Sequence, residues 1–366
     1  MPSRRWLVRI TARTATAEGW IGKVEAQAAA YSNQAAESAW TAHQQWWNQF
    51  WDRSWIFIDA KPGDDAFAVA SGYALQNWIT LDRGFLNTSL LPFAKQITSF
   101  YDNRYPRDDE GKLVISPGNA LEEVWACTNP APEIAGLRFI LPQLLELASR
   151  PEEQQGYARL LKTIPELPRA VGDEGREYLL PAATGKRRSN CEKPECYAIF
   201  PYRLFGVGLP ELELARETFR LSPKSMNGQP RSNGWVQDAI FAACVGEVEE
   251  AERMLVERSK LHDKNSRFPA FWGPNFDWTP DQDHGGVNMI ALQQMLVQTE
   301  PASEKIHLCP AWPNKWDCSF KLHAPGPTII QGKVKAGKVV DLIVTPEARR
   351  KDIVIHSKGT ILKSAG

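Results

Sequence analysis

Neither sign of charge dominates this chain. Lys and Arg number 43, Asp and Glu number 43, and the formal net charge is zero. Without a positive excess there is no electrostatic footprint for a phosphate backbone or an anionic bilayer surface, so nucleic acid and membrane are poor partners. Long apolar runs are also missing. No stretch approaches the ~20 residues a spanning helix needs, and a soluble protein is expected. The segment Met1 to Arg13 (MPSRRWLVRITAR) has the basic residues of an export signal, but Arg9 and Arg13 interrupt what should be its apolar stretch, so it reads as no working signal. Cysteine is sparse and scattered: Cys127, Cys191, Cys196, Cys244, Cys309 and Cys318. The one close pair, Cys191 and Cys196 in NCEKPEC, could close a small disulfide or supply half a metal site. No second Cys or His pair at zinc-like spacing accompanies it, which favours free thiols and leaves no metal expected. Internal repeats and low-complexity segments are absent.

Tryptophan and proline are abundant, at 14 and 26 residues in a chain of 366. They describe stiff, aromatic-lined loops on a chain long enough for one large or two ordinary domains. The richest segment is FPAFWGPNFDWTPDQDHGG, Phe268 to Gly286. It gathers Asp277, Asp281, Asp283, His284, Trp272 and Trp278, with three prolines and a closing Gly-Gly. It holds too much proline and glycine for a helix or a regular strand. A rigid aromatic loop presenting carboxylates suits sugars, whose C–H faces lie against indole while acids handle hydroxyls and protons. The plainer alternative is a surface loop whose Trp residues cap a core, with Asp281 or Asp283 as a helix N-cap.

Apolar spacing predicts helices over most of the first 300 residues. Trp40, Trp47, Trp51 and Trp55 draw one stripe along a helix from about Ala17 to Trp55, read as core. Further helices are expected over Asp65 to Ile79, Leu90 to Tyr101 (through Phe93, Ile97 and Phe100), and from Pro132 through Ile134, Leu137, Leu141, Leu144 and Leu145, with Glu133 well placed in the first turn. Shorter ones follow near Glu152 to Thr163, Glu211 to Phe219, Gly234 to Cys244, Val248 to Leu261 and Val287 to Gln298. Short helices joined by long loops are typical of toroidal helical folds. After Pro301 the character changes to short β-branched runs: Ile306 to Leu308, Phe320 to Leu322, Thr328 to Val334, Lys338 to Val344 and Ile353 to Ile355. A Lys335-Ala336-Gly337 turn joins two of them. These predict a small antiparallel β unit packed on the helical part.

Several strings, in order along the chain, resemble a known group: SPGNALEEVWACTNPAPEIAGLRFILPQLLEL (Ser116 to Leu147), YAIFPYRLFGVGLPELELAR (Tyr197 to Arg216), GWVQDAIFAA (Gly234 to Ala243), the aromatic loop, and IHLCPAWPNKWDCSFKLHAPG (Ile306 to Gly326). Together they look like the family 95 type of glycoside hydrolases, the α-L-fucosidase group. The resemblance implies a mainly α fold, an (α/α)6 toroid of helical hairpins over residues 1–301 and a small antiparallel β domain over 302–366. It also implies inverting hydrolysis of terminal sugars of oligo- or polysaccharides, without metal or organic cofactor, in relatives that are periplasmic or secreted. The toroid is expected to be incomplete: about eight helices are legible where six hairpins need twelve, YALQNWIT passes almost directly to LLPFAKQITSFYD, and the group's amino-terminal β-sandwich has no counterpart.

Aligning the group's Gly-Gly pair to Gly285 and Gly286 puts its water-activating aspartate at Asp281. Its general-acid glutamate follows a Ser-Pro dipeptide, where this chain has Gly118 after Ser116-Pro117. Glu122, one turn further on if the stretch is helical, is the nominated acid, with Trp125 as an apolar neighbour and Glu123 and Glu133 as rivals. Trp272 and Trp278 would wall the sugar, and Asn275, Asp277, Asp283 and His284 would bind its hydroxyls or steady Asp281. Two other readings stand beside the hydrolase: a non-catalytic carbohydrate-binding remnant of that group, and an interaction module using apolar faces left uncovered by absent helices.

Overall fold

The computed structural model describes residues 33–52, 55–59, 91–148, 150–187, 192–223, 225–226, 229–230, 236–260, 282–300, 304–357 and 360–363. The chain divides into two compact units, Met1–Trp55 and Ile56–Gly366. In the first, helix α1 spans Asn33–Trp51. The stripe read there as core does not bury its leading residue: Trp40 is 56 % exposed, stacked on His43 with ring centroids 5.6 Å apart. Trp55 opens a strand, β1 (Trp55–Ile58), rather than prolonging the helix. The helix expected over Asp65 to Ile79 lies outside the described residues.

The second unit begins its described helices with α2 (Leu91–Arg104). This helix turns its predicted stripe outward, since Phe93, Ile97 and Phe100 are exposed while Ala94 and Thr98 are buried. A hairpin follows, β2 (Gly118–Ala120) and β3 (Val124–Pro130), then α3 (Ala131–Leu147) and α4 (Pro151–Thr163). The buried residues of α3 include Ile134, Leu137, Leu141 and Leu144, the helical spacing seen in the sequence, and prolines stand where both helices start, with acids in their first turns. Next come β4 (Arg169–Val171), β5 (Glu177–Leu179), β6 (Ala182–Thr184), a 3-10 turn (Pro194–Ala198) and α5 (Leu212–Leu221). A ribbon of β7 (Ser225–Met226) and β8 (Gln229–Pro230) precedes α6 (Asp238–Val245), α7 (Val248–Lys260) and α8 (Gln282–Leu296). Every residue of α6 is buried, so it is a central core helix with no solvent face; Gly246, at φ +79°, ends it in the left-handed conformation that glycine adopts freely.

The remaining strands are β9 (Val297–Thr299), β10 (Ile306–Leu308), β11 (Cys318–Ala324), β12 (Thr328–Lys335), β13 (Lys338–Thr345), β14 (Ile353–Ser357) and β15 (Thr360–Lys363), with a second 3-10 turn at Glu347–Asp352. Strands β11 and β12 alternate strictly between buried and less buried residues, which sets their register. The β12–β13 hairpin closes with Lys335 opposite Lys338, and its two loop residues, Ala336 and Gly337, both have positive φ, as a type I′ turn requires.

These pairings overturn the expected mainly α architecture of an incomplete toroid followed by a separate antiparallel β domain. Helix and strand are mixed along the chain. One four-stranded sheet has the order β1-β11-β12-β13 and the other β15-β14-β10-β9, so β1 and β9, both upstream of residue 302, complete the two sheets. Strands β10 and β14 run parallel, with Ile306 opposite Ile353. A single apolar core takes Leu141 from α3, Phe241 from α6, Leu292 from α8, Leu308 from β10 and Phe320 from β11. The physical reason is sheet width and the need to cover an apolar face. Five short strands alone make narrow sheets with a bare face, and this chain widens the sheets with β1 and β9 and packs helices from elsewhere in its sequence into the same apolar core.

Candidate functional site

The stretch around Glu122 is a hairpin, not a helix. Ala120 pairs with Val124, so Leu121, Glu122 and Glu123 form the loop, and Leu121 (φ +53°) and Ala126 (φ +49°) have backbone conformations a helix cannot contain. Glu122 sits exposed on the turn, its N–H donating to Glu192 Oε2 at 2.9 Å. Trp125, foreseen as its apolar neighbour, is 52 % exposed. Glu123 next to it is buried, where Arg187 donates to its Oε1 at 2.9 Å and to Glu195 Oε2 at 2.6 Å. That forked pairing holds the hairpin against the 3-10 turn Pro194–Ala198 and leaves Glu123 in a structural role.

Glu133 has the surroundings of a chemical acid. It lies in the first turn of α3, where the helix dipole alone would favour the carboxylate. Burial overrides the dipole and raises its carboxyl from the ordinary range to about 7, and among the described residues its Oε2 is enclosed without a hydrogen-bond partner. Burial also raises the hydroxyls of Tyr101 and Tyr202, and the proximity of Glu133 adds to both shifts. The Cys127 thiol is raised in the same way, by burial first. One turn along α3, Gly136 lets Tyr202 approach: a β-carbon there would stand 3.0 Å from the tyrosine hydroxyl oxygen. Phe139 flanks the same ring, with centroids 5.8 Å apart. The result is a half-buried, protonatable carboxyl beside two phenols, supplied by α2, α3 and the loop after the 3-10 turn.

Of the other residues foreseen for the site, Asp281, Trp272, Asn275, Asp277 and Trp278 lie outside the described residues. Asp283 and His284 fall in the first turn of α8, which starts at Gln282 rather than at Val287, and their side chains are not described. Cys191 is likewise outside, while Cys196 is a free buried thiol 3.3 Å from Ser222 Oγ. Among the described residues no group of three or more His, Cys, Asp or Glu side chains is arranged to hold a metal ion, and no helix is long and apolar enough to cross a membrane. Sequence reasoning ranked Glu133 only as a rival and did not single out Tyr101 or Tyr202. The available signal was the Pro-Ala-Pro-Glu run, which fixes Glu133 at a helix start; what it could not show was its burial or the two tyrosines near it.

Compared with protein-family models and with curated proteins, the chain finds no match.

Proposed function

We propose that this chain is an inverting glycoside hydrolase acting on terminal sugars, with Glu133 rather than Glu122 as the general acid. The observation that supports the reading is the Glu133 carboxyl, raised to about 7 by burial beside Tyr101 and Tyr202, so that it holds a proton near neutral pH. A glycosidase needs such a group. The acid gives its proton to the glycosidic oxygen as the bond from that oxygen to the anomeric carbon breaks, and a carboxylate on the opposite face takes a proton from the attacking water. In this reading Asp281 is that carboxylate, and an inverting pair requires about 6.5–9.5 Å between the two carboxyls. The motifs resembling family 95 hydrolases support the substrate class.

The test is hydrolysis of a panel of aryl glycosides that differ in leaving group. Glu133→Gln should lower kcat on a methylumbelliferyl glycoside by about 100-fold or more and hardly change it on a dinitrophenyl glycoside, whose leaving group departs without a proton. Asp281→Asn should suppress both, and Glu122→Gln neither. Unchanged turnover in Glu133→Gln removes the acid assignment. Oligosaccharide binding without turnover by the natural chain selects the non-catalytic remnant instead.

A further inference from the structure

A groove of about 440 Å³ opens between α2 and α4. Its ends are set by cross-helix ion pairs. At one end Lys95 Nζ lies 2.6 Å from Glu153 Oε1, which Arg150 also grips. At the other, Arg159 Nη2 lies 3.0 Å from Asp102 Oδ2, and Arg107 holds the second oxygen of Asp102. Lys95 and Asp102 are two turns apart on α2, Glu153 and Arg159 nearly two turns apart on α4, so the bridges bracket a window roughly 10 Å long at 1.5 Å per residue. Midway along it, α4 carries Gly156, where a β-carbon would meet nothing within 4 Å, and α2 carries Ser99. The ring of Tyr157 adds an aromatic wall.

The geometry points to a binding site for a neutral polyhydroxylated ligand about the length of a disaccharide. Lys95, Arg150 and Arg159 face Asp102, Glu152 and Glu153, so neither a phosphate nor a cationic ligand meets a net opposite charge. The ion pairs tie Lys95 and Arg150 to Glu153 and Arg159 to Asp102, while Arg159 retains further guanidinium donors and Ser99, accepting from Asn103 at 3.2 Å, keeps a hydroxyl hydrogen to give. Fixed polar groups around an aromatic face and an open floor are what a pyranose recognises: its hydroxyls take the polar edges and its C–H face the ring. An exposed groove of this kind binds weakly, in the millimolar range. The inference is independent of the role given to Glu133.

The test titrates the full chain with cellobiose, lactose and maltose, followed by saturation-transfer NMR, with glucose 6-phosphate and dilysine as charged controls. At least one neutral disaccharide should bind saturably and neither control should displace it. Gly156→Trp fills the window and, as a better helix former than glycine, should keep or raise Tm while weakening binding by at least about tenfold. Ser99→Ala should weaken it severalfold. Glu133→Gln should bind as the natural chain does, and Gly156→Trp should hydrolyse a small aryl glycoside at the natural rate. Absence of binding by all three disaccharides, equal binding by Gly156→Trp, displacement by glucose 6-phosphate, or loss of binding in Glu133→Gln would each overturn the groove assignment; a lack of hydrolysis leaves it standing and bears on Glu133 alone.

Discussion

Around the 3-10 turn Pro194–Ala198 the protein buries ionisable side chains as charged pairs, whereas at Glu133 and His356 in the same unit burial favours the uncharged form. Lys193 Nζ lies 2.8 Å from Asp238 Oδ2 with both side chains almost fully enclosed, and Arg187 forks between Glu123 and Glu195, whose Oε1 accepts from Ser222 at 2.8 Å. In the sheet of β9, β10 and β14, by contrast, His307 Nδ1 lies 2.8 Å from His356 Nε2, and His307 Nε2 lies 2.5 Å from Glu300 Oε1. There burial first, and His307 second, bring the His356 ring down to about 4, so it is neutral at ordinary pH. Glu133 is the acidic counterpart, raised to about 7 by burial. Removing a charge from water is costly whatever its sign, and a chain can meet that cost with a partner or avoid it with a proton transfer.

The comparison is broken most severely by removing one partner of a pair. Lys193→Met leaves Asp238 buried and unpaired and should cost about 3–5 kcal/mol in urea unfolding, while Lys193→Met with Asp238→Leu should recover most of that loss. If the single substitution costs under about 1 kcal/mol, the pair is not held as charges.

The neutral groups should respond to pH instead, and in opposite directions. Glu133 is raised in the folded state, so its contribution is complete below about 4.5 and is lost as pH climbs to about 7, by roughly 2–3 kcal/mol. His356 is lowered, so its contribution is complete above about 6.5 and is lost as pH falls to about 4, by roughly 1–2 kcal/mol once its partly exposed ring is allowed for. Between pH 4.5 and 6.5 the two slopes oppose each other. Denaturant unfolding at several pH values should therefore show stability rising with pH in Glu133→Gln and falling with pH in His356→Gln, with a flatter profile in the double variant. Parallel profiles in the two single variants would contradict the burial account. The smallest effect concerns neither region: Gly156→Ala, in the open interior of α4, should raise stability by about 0.5–1 kcal/mol, read from the urea midpoint.

Local rules carried far along this chain. The spacing of Ile134, Leu137, Leu141 and Leu144 marked α3 and its buried face, and Ala336-Gly337 marked a hairpin that forms where expected. The hairpin at β2–β3 was illegible because its turn uses Leu121 at positive φ, and the strand after it uses Ala126 in the same way, residues that carry no turn signature. Sheet membership was illegible for a different reason. Nothing in WIFI at residues 55–58 says that it will lie beside β11, because strand pairing depends on the whole fold rather than on the strand. Of the site, the position of Glu133 at a helix start could be read; its protonation depends on burial by the folded chain, and its nearness to Tyr101 and Tyr202, distant in sequence, became visible only when the chain was folded.

The pairing of β1 with β11 also sets a schedule for the ribosome. Asp59 donates its N–H to the carbonyl of Asp317 at 2.8 Å, so residues 60 to 316 must all be synthesised before that edge can close. Until then β1 is an uncovered apolar strand on a growing chain, and slow translation or a pause before residue 318 should expose it to aggregation and make chaperone supply the determinant of yield.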